Sequence, residues 1–528
     1  MSESVDTVAG PGAAALQAIP TSGTDPDRPA IICTNGETVT YAELAERAAR
    51  LAGALRELGL AEGDVVAILS ENSPAFLEIA WACRLAALYH VVLNTSLVAD
   101  EVDYILNDSG AIALIASTKV ASTRTLDPSG TPAIRHRILR GDPLPGWTPI
   151  EDVLADAPIF VADTELEGDL LQYSSGTTGR PKGIKRAMIA APKTPAEDMK
   201  TFLLSLIGAD GSSTYLSPAP LYHTAPFYWT MSMLRMGATV VLMEKFDPVG
   251  ALAAIEKHRV THGQFVPTMF TRMLKLPEQE RLAHDVSSLQ GVVHAAAPCP
   301  IDIKRQMIDW WGPIVNEYWS SSEGAGFTFI NSADWLTHPG SVGRSVLGPL
   351  HICDPIGNEL PIGEPGMIWA EGVEFSYVND AGKNASTTSV QGWRSVGDIG
   401  RFDEDGFLYL TDRANFMIIT GGVNIYPQES ENRLIDHPRV YDAAVIGLPD
   451  DELGEIAVGI VQLVDPNDAG PEFAAELSAW CEASIARYKC PRRFEFTDVL
   501  PRTETGKLLK GQLRDQMIQH PQTNGDTP

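Results

Sequence analysis

The chain has 528 residues, and its 40 Lys and Arg against 68 Asp and Glu give it a formal net charge of −28. This length exceeds what one hydrophobic core usually supports, so we expect at least two domains. The acidic surface would repel nucleic acid and anionic lipid, which argues against both as general partners.

The start of the chain and its cysteines bear on the cell compartment. Residues 1–6 are polar and acidic, so we expect no secretory signal there. No apolar run reaches the length of a transmembrane helix. The six cysteines are scattered without a C-x-x-C pair, so we interpret them as reduced thiols and not as a disulfide framework or a zinc site. These features predict a cytoplasmic protein.

The first half of the chain alternates between helix and strand patterns. Thr40 and Glu43 form a capping-box pattern, and apolar residues then recur at helical spacing until Gly59. Short apolar runs predict buried strands at 65–69, 91–93, 112–116, 214–217 and 239–242, with helices at 74–88 and 248–258. This alternation is typical of parallel sheets that are covered on both faces.

The pattern changes towards the C-terminus. From about residue 341, glycines separate short strands, which predicts a barrel-like antiparallel subdomain. Beyond residue 411 the pattern is that of a small α+β unit, with helices at 427–436 and 471–486 and strands at 443–447 and 457–464. We therefore predict an α/β fold. A large N-terminal domain, residues 1–411, would hold layered parallel sheets and the barrel-like subdomain, and residues 412–528 would form a small α+β C-terminal domain.

Residues 173–183 have the composition of a phosphate-binding loop. They read Tyr-Ser-Ser-Gly-Thr-Thr-Gly-Arg-Pro-Lys-Gly. Glycines allow close backbone approach, and hydroxyl and N–H groups donate to phosphate oxygens. The spacing is not that of a Walker loop. We predict that phosphate is bound here, with a plain polar hairpin as the alternative. The candidate ligands are Ser174, Ser175, Gly176, Thr177, Thr178, Gly179 and Lys182.

This loop resembles that of the acyl-CoA synthetases in the adenylate-forming (AMP-binding) enzyme superfamily, of the type that ligates fatty acids or steroid acids to CoA. Four further strings match motifs of that family in the same order. They are residues 316–324, Asp398 after Trp-Arg-Ser-Val-Gly, Arg413 after Leu-Thr-Asp, and residues 501–507. The resemblance runs from about residue 40 to about residue 510. Five motifs in the family's order and at family-like separations would rarely arise by chance.

The resemblance implies roles for residues 319–323. Trp319 would pack on adenine, Ser322 would meet the α-phosphate, and Glu323 would hold Mg²⁺ near the phosphates. These residue types suit the roles, because they offer a flat π face, a hydroxyl donor and a hard oxygen ligand. Ser320 and Ser322 replace the usual Gly and Thr, and Ser320 could narrow the base pocket. A Ser-rich surface loop is the alternative interpretation.

Four other residues take implied positions around the nucleotide. Asp398 resembles the aspartate that binds both ribose hydroxyls, and Arg413 resembles the arginine that helps to hold the ribose. Ala296 lies in the small-residue turn beside adenine. Lys507 would reach the carboxylate and the α-phosphate and neutralise the charge that develops there. The alternatives are a turn-capping Asp398 and a solvated Lys507.

The implied conformational change depends on the C-terminal domain, which would be mobile. Asn415 stands at the hinge, where the family usually carries Lys or Asp, and Asn tolerates the backbone of a pivot. Gly421 and Gly422 would line the tunnel for the CoA arm, although a simple hairpin is nearly as good an interpretation. His223 matches the position at the mouth of the acyl pocket, whereas a lone His is more often structural.

The resemblance implies an ATP-dependent acid–CoA ligase that uses ATP, Mg²⁺ and coenzyme A. The acid would become acyl-AMP with release of pyrophosphate, and the acyl group would then pass to CoA; Lys507, Glu323 and Lys182 would be the catalytic residues. Two alternatives stay open, a stand-alone adenylation enzyme that passes the acyl group to a carrier protein and a non-catalytic nucleotide-binding protein. The oligomeric state is also open, and a homodimer is one alternative.

The acid itself is predicted only as a class. The pocket segments 223–229, 264–269 and 294–297 are largely apolar and contain no Lys or Arg that could pair with a second carboxylate. We therefore expect an apolar monocarboxylic acid. Fatty acids come first, bulky alicyclic or steroid-side-chain acids second, and aryl acids third.

Overall fold

The computed structural model describes residues 24–123, 126–162, 164–173, 181–191, 199–354, 357–413, 416–420, 423–450, 452–503 and 508–519. Within these ranges no helix is both long and apolar enough to cross a lipid bilayer.

A parallel sheet forms near the N-terminus. Its strands lie in the order Tyr89–Val92, Val65–Leu69, Ala111–Ser117, His136–Arg140 and Thr148–Pro149. The strands predicted around residues 65–69, 91–93 and 112–116 are all in it, and every neighbouring pair is parallel. The helices Tyr41–Glu57, Pro74–Leu85 and Ala99–Ser109 accompany these strands. The predicted capping box is confirmed, since Thr40 and Glu43 cap each other reciprocally.

The central sheet is the largest and carries most of the site. From one edge to the other its strands are Arg344–Ser345, Phe327–Ile330, Val315–Ser320, Gly291–His294, His262–Phe265, Thr214–Ser217, Thr239–Leu242, Pro29–Cys33 and Thr38–Thr40. The strands from Val315–Ser320 to Pro29–Cys33 pair in parallel, and the outer strands add antiparallel edges. Because ligands bind beyond the carboxyl ends of parallel strands, this sheet predicts where the site lies.

Helices connect and cover the strands of the central sheet. They are Met199–Ser205, Thr224–Met236, Pro248–His258, Pro267–Leu274, Ile301–Trp311 and Ser332–Thr337. The strand Thr239–Leu242, for example, is buried along its whole length. Two large clusters of buried side chains form the core on the faces of this sheet and of the N-terminal sheet.

The predicted antiparallel subdomain is present between residues 343 and 413. Strands Leu350–Cys353, Gly366–Ala370, Asp398–Phe402 and Leu408–Arg413 pair in that order, and every pair is antiparallel. A separate antiparallel sheet joins Ser376–Tyr377, Gly183–Lys185 and Gln172–Tyr173. The last two strands flank the predicted phosphate loop on both sides.

The C-terminal part has its own sheet and core. Strands Val423–Ile425, Ile418–Thr420, Gly454–Leu463 and Val440–Asp450 follow one another across it, and Arg493–Thr497 pairs with Gly454–Leu463. Helices Pro427–Ile435, Pro471–Glu482 and Lys510–Gln519 complete the predicted α+β unit. The boundary predicted between residues 411 and 412 falls within the strand Leu408–Arg413, and its exact place stays a prediction.

Candidate active site

A cavity of about 1510 Å³ opens at the carboxyl ends of the central strands, where parallel sheets bind ligands. Six of the residues predicted from sequence line it, namely His223, Ala296, Trp319, Ser322, Glu323 and Asp398. The C-terminal part contributes Arg502, Thr503 and Leu508 to the same cavity. Residues that are far apart in the chain are therefore brought together in one place.

Trp319 and Asp398 are in direct contact. Trp319 is 7% exposed near the end of the strand Val315–Ser320, and its Nε1–H donates to Asp398 Oδ2 at 2.9 Å. Asp398 begins a strand of the antiparallel sheet and is also buried. In the register of that sheet its partner is Arg413 on the neighbouring strand. The residues predicted for adenine and ribose thus lie side by side.

Ala296 occupies a strained turn after the strand Gly291–His294. Its φ of +76° lies in the left-handed region, which is costly for a residue with a Cβ. Strain of this kind often marks a ligand site, and the turn lines the cavity. His294, which was included in the predicted pocket, is fully buried behind the turn. Burial, with a contribution from Lys304, lowers the pKa of His294 well below its usual value, so its ring is neutral.

Hydrogen bonds tie both flanks of the predicted phosphate loop to residues 322 and 323. On one flank, Gln172 Nε2 donates to Ser322 Oγ at 3.2 Å, and Thr224 Oγ1 lies 3.2 Å from the same hydroxyl. On the other flank, Tyr377 pairs with the strand that follows the loop, and its hydroxyl donates to Glu323 Oε1 at 2.7 Å. The loop ends are therefore fixed beside the predicted α-phosphate and metal ligands.

Lys182 forms an ion pair with a protein carboxylate in this structure. Its Nζ donates to Asp380 Oδ2 at 2.6 Å, and both side chains are partly exposed. Asp380 also caps the helix Ala381–Ser386 through the backbone N–H of Lys383. The hydrogen bond from Lys182 is the main reason why the pKa of Asp380 is lowered. A phosphate that bound Lys182 would compete with Asp380 for the charge of this ammonium group.

Glu323 is the residue predicted from sequence to hold Mg²⁺, and it lines the cavity. The described residues contain no cluster of three or more His, Cys, Asp or Glu side chains that could hold a metal by themselves. Mg²⁺ is commonly bound by one or two carboxylates together with substrate phosphates and water. Glu323, on the cavity wall beside Ser322, therefore fits a metal ion that arrives with a nucleotide.

The apolar part of the cavity has aromatic walls. Trp229 Nε1 donates to the Tyr318 hydroxyl at 3.1 Å, and the Tyr318 ring stacks on Phe327 with 4.9 Å between centroids and 6° between planes. His223 packs against Tyr222 immediately before the helix Thr224–Met236. All five side chains line the cavity.

Sequence reasoning missed two groups at this site. The first is a buried ion pair, in which Lys304 Nζ donates to Glu317 Oε2 at 2.6 Å. The signals were present, because Lys304 shares a helical face with buried apolar residues and Glu317 lies two positions before Trp319 on one strand face. The second is Arg186, which lines the cavity although the predicted pocket segments themselves contain no cation.

The loop predicted to carry Lys507 is anchored at the cavity. Arg502 and Leu508 form an antiparallel bridge across its base, and Arg502 binds Asp442 through Nε at 2.6 Å and Nη2 at 2.7 Å. Several predicted residues lie outside the described part of the chain, namely Ser174, Ser175, Gly176, Thr177, Thr178, Gly179, Asn415, Gly421, Gly422 and Lys507.

Known proteins resemble this chain over nearly its whole length. Residues 21–376 match the family model "AMP-binding enzyme", and residues 429–507 match "AMP-binding enzyme C-terminal domain". Feruloyl-CoA synthase of Amycolatopsis sp is 36% identical over 485 residues, which cover 91% of this chain and 94% of the relative. Long-chain-fatty-acid–CoA ligase FadD13 of Mycobacterium tuberculosis is 31% identical over 490 residues, or 90% and 93% of the two chains.

A solved structure supports the same assignment. The o-succinylbenzoate CoA synthetase of Bacillus subtilis, in complex with its acyl-adenylate intermediate, superimposes with a TM-score of 0.78 at 27% identity and covers 95% of this chain and 98% of that one. CoA ligases of this kind use ATP, Mg²⁺ and CoA. The chain therefore belongs to the AMP-binding enzyme family of adenylate-forming acyl-CoA ligases.

Proposed function

We propose that this protein is an ATP-dependent acid–CoA ligase that activates an apolar monocarboxylic acid as acyl-AMP, releases pyrophosphate and then transfers the acyl group to CoA. One observation carries the proposal. The polar residues Trp319, Ser322, Glu323 and Asp398 line the same cavity as the apolar segment 223–229, so a nucleotide and an acid can meet there.

Each part of the nucleotide has a candidate partner. Trp319 and the Ala296 turn would hold adenine, and Asp398 with Arg413 would hold the ribose. The phosphates would be bound by Ser322 and by the loop residues Ser174, Ser175, Gly176, Thr177, Thr178, Gly179 and Lys182. Glu323 would hold Mg²⁺, which when bound neutralises phosphate charge.

In the first half-reaction an oxygen of the acid's carboxylate attacks the α-phosphorus of ATP. The bond between that phosphorus and the bridging oxygen breaks, and pyrophosphate leaves. We propose that Lys507 neutralises the charge that develops there, because the loop that carries it is anchored at the cavity by Arg502 and Leu508.

In the second half-reaction the CoA thiolate attacks the acyl carbon, and AMP leaves. We propose that the C-terminal domain, residues 412–528, first turns about a hinge near Asn415 and withdraws Lys507. Gly421 and Gly422 would then line the path of the CoA arm. The six cysteines are free thiols, which is consistent with the cytoplasmic location that we propose.

For the acid we propose a planar aryl acid before a fatty or steroid-side-chain acid. Trp229, Tyr318 and Phe327 form a continuous aromatic wall, which favours a ring that can pack against it. Relatives named for feruloyl-CoA and for long-chain fatty acids both support an apolar monocarboxylic acid. This order differs from the one expected from sequence, in which fatty acids came first.

The experiment is a panel of acids with ATP, Mg²⁺ and CoA, in which pyrophosphate release and CoA consumption are both measured. The panel contains ferulate, indole-3-acetate, dodecanoate and a steroid-side-chain acid. We expect both signals with at least one acid. Pyrophosphate without CoA consumption would point to another acceptor such as a carrier protein, and no pyrophosphate with any acid would refute the proposal.

The same assay tests the aromatic wall. Trp229→Leu should lower kcat/KM for ferulate by about tenfold, because an aromatic pair contributes about 0.5–1.5 kcal/mol beyond its buried area, and should affect dodecanoate less. Trp393→Leu is the matched control, since Trp393 stacks on His351 outside the cavity. Equal losses for ferulate and dodecanoate would contradict the preference for a planar acid.

A further inference from the structure

Arg186 is a cavity-lining cation that no predicted motif contains. It follows the strand Gly183–Lys185, and its side chain is 26% exposed. Its Nη2 donates to the Tyr228 hydroxyl at 2.6 Å, and that hydroxyl donates in turn to Asp169 Oδ1 at 3.2 Å. Arg186 Nε lies 3.9 Å from Asp169 Oδ2. Tyr228 and Asp169 therefore hold the guanidinium in one orientation.

The guanidinium lies at the junction of the acid pocket and the nucleotide wall. Tyr228 belongs to the helix Thr224–Met236, which lines the acid pocket. On the other side, Arg186 Nη1 lies 3.6 Å from the position that a Cβ on Gly324 would take. Gly324 directly follows Glu323, the proposed metal ligand. A carboxylate bound at this junction would lie between the acid pocket and the residues that we propose for the α-phosphate.

The charges behind Arg186 favour an anionic ligand. Within the described residues this network holds the guanidinium groups of Arg84, Arg186 and Arg235 and the carboxylates of Glu167 and Asp169. Arg84 makes two hydrogen bonds of 2.9 Å to Glu167, and Arg235 also binds Glu167. Burial would raise the pKa of Glu167, but these two arginines hold it at about 2. Asp169 Oδ2 lies at a long 3.9 Å from Arg186 Nε, and the Glu323 carboxylate also acts on Arg186 from the cavity wall. Within the network itself the three guanidinium groups outnumber the two carboxylates.

We infer that Arg186 receives the carboxylate of the acid through Nη1 and holds it against the α-phosphate during adenylation. This inference rests on the proposed function and names a further substrate-binding residue for it. The planar fork of a guanidinium matches the two oxygens of a carboxylate. Tyr228 and Asp169 act through Arg186 and are positioning residues. Arg186 forms and breaks no covalent bond, and pyrophosphate remains the leaving group.

The first test is ATP–pyrophosphate exchange with ferulate and with dodecanoate as the acids. Arg186→Gln should raise KM for the acid by about 10- to 100-fold, as expected for a lost hydrogen bond to a charged group, and change KM for ATP by less than about threefold. Arg186→Lys keeps the charge and should recover part of this loss. Tyr228→Phe should raise KM for the acid by a smaller factor.

The matched control is Lys185→Gln. Lys185 is the neighbouring cation, but it is exposed and lies over the Tyr89 ring at 4.4 Å, outside the cavity. Lys185→Gln should leave KM for the acid and KM for ATP unchanged. This result would separate the loss of a specific contact from a change in net charge. The unfolding temperature of each variant is also measured, and a value close to that of the wild type shows that the fold is intact.

A second measurement does not depend on turnover. Calorimetry compares the binding of ferulate with that of its neutral carboxamide. The wild type should prefer the carboxylate, and Arg186→Gln should lose this preference.

The inference is overturned if the preference persists in Arg186→Gln, or if KM for ATP rises while KM for the acid does not, since the guanidinium would then bind phosphate. If the wild type catalyses exchange and Arg186→Gln does so with the same KM for the acid, this inference is overturned but the proposed function is not. No exchange with any acid refutes the proposed function as well.

Discussion

Replacing Lys304 by methionine should lower the free energy of unfolding by about 3–5 kcal/mol, the usual cost of breaking a buried ion pair from one side. Lys304 Nζ lies 2.6 Å from Glu317 Oε2, and the side chains are 0% and 8% exposed. At that distance the attraction is about 6 kcal/mol for an effective dielectric constant of about 20. Methionine keeps the packing but leaves the carboxylate without its cation. His294 lies 3.5 Å from Glu317, but burial lowers the pKa of its ring well below the usual value and so opposes its protonation in place of Lys304.

The loss should depend on pH with a defined sign. Burial raises the pKa of Glu317, whereas the charge of Lys304 lowers it. Removal of Lys304 should therefore raise the pKa of Glu317 further. With a folded-state pKa above the unfolded one, the folded protein holds the proton more tightly. Proton binding by Glu317 therefore stabilises the folded protein at pH values below the pKa of the unfolded state. This contribution is lost as the pH rises through the pKa of the folded state. Lys304→Met should therefore be less destabilised near pH 5 than near pH 8.

The assay is urea unfolding, followed by tryptophan fluorescence at about pH 5 and about pH 8. Glu317→Gln and the double variant complete a mutant cycle, in which the double variant should lose less than the sum of the single losses, with a coupling of about 2–3 kcal/mol. Lys257→Met, at an exposed lysine, is the control and should change stability by less than about 0.5 kcal/mol. A loss below about 1 kcal/mol at pH 8, or additive single losses, would refute the reasoning.

Three further predictions concern the nucleotide, and steady-state exchange kinetics test the first two. Trp319→Phe keeps a ring but removes the N–H that binds Asp398, so KM for ATP should rise by about three- to tenfold, and an unchanged value would contradict the assigned contact. Asp380→Asn preserves a helix cap but releases Lys182, so KM for ATP should fall by about two- to fivefold, whereas a rise would show that the pair assists binding. Lys507→Ala should slow acyl-AMP formation by about 100-fold or more but have little effect on thioester formation from supplied acyl-AMP, and equal losses in both steps would exclude its proposed role.

Local sequence patterns were sufficient for most of the elements. The capping box at Thr40, the buried strands at 65–69 and 239–242, and the C-terminal α+β unit are all present. These features depend on neighbours a few residues apart, because helices repeat every 3.6 residues and strands every two. The motifs also identified six side chains that line one cavity, since each motif has a fixed place relative to its strand.

The sequence by itself therefore determined the element types, the family and the chemical character of the site. Only the tertiary structure decided the partners, because a pattern along the chain shows which face a side chain occupies but not what lies opposite. Lys182 meets Asp380 across 198 positions, and Trp319 meets Asp398 across 79. In the sequence, Arg186 is a charged residue after a short predicted loop motif, and no pattern there indicates a role for it. Only the packing of the helix Thr224–Met236 and the segment before the loop places it in the cavity and surrounds it with buried charge.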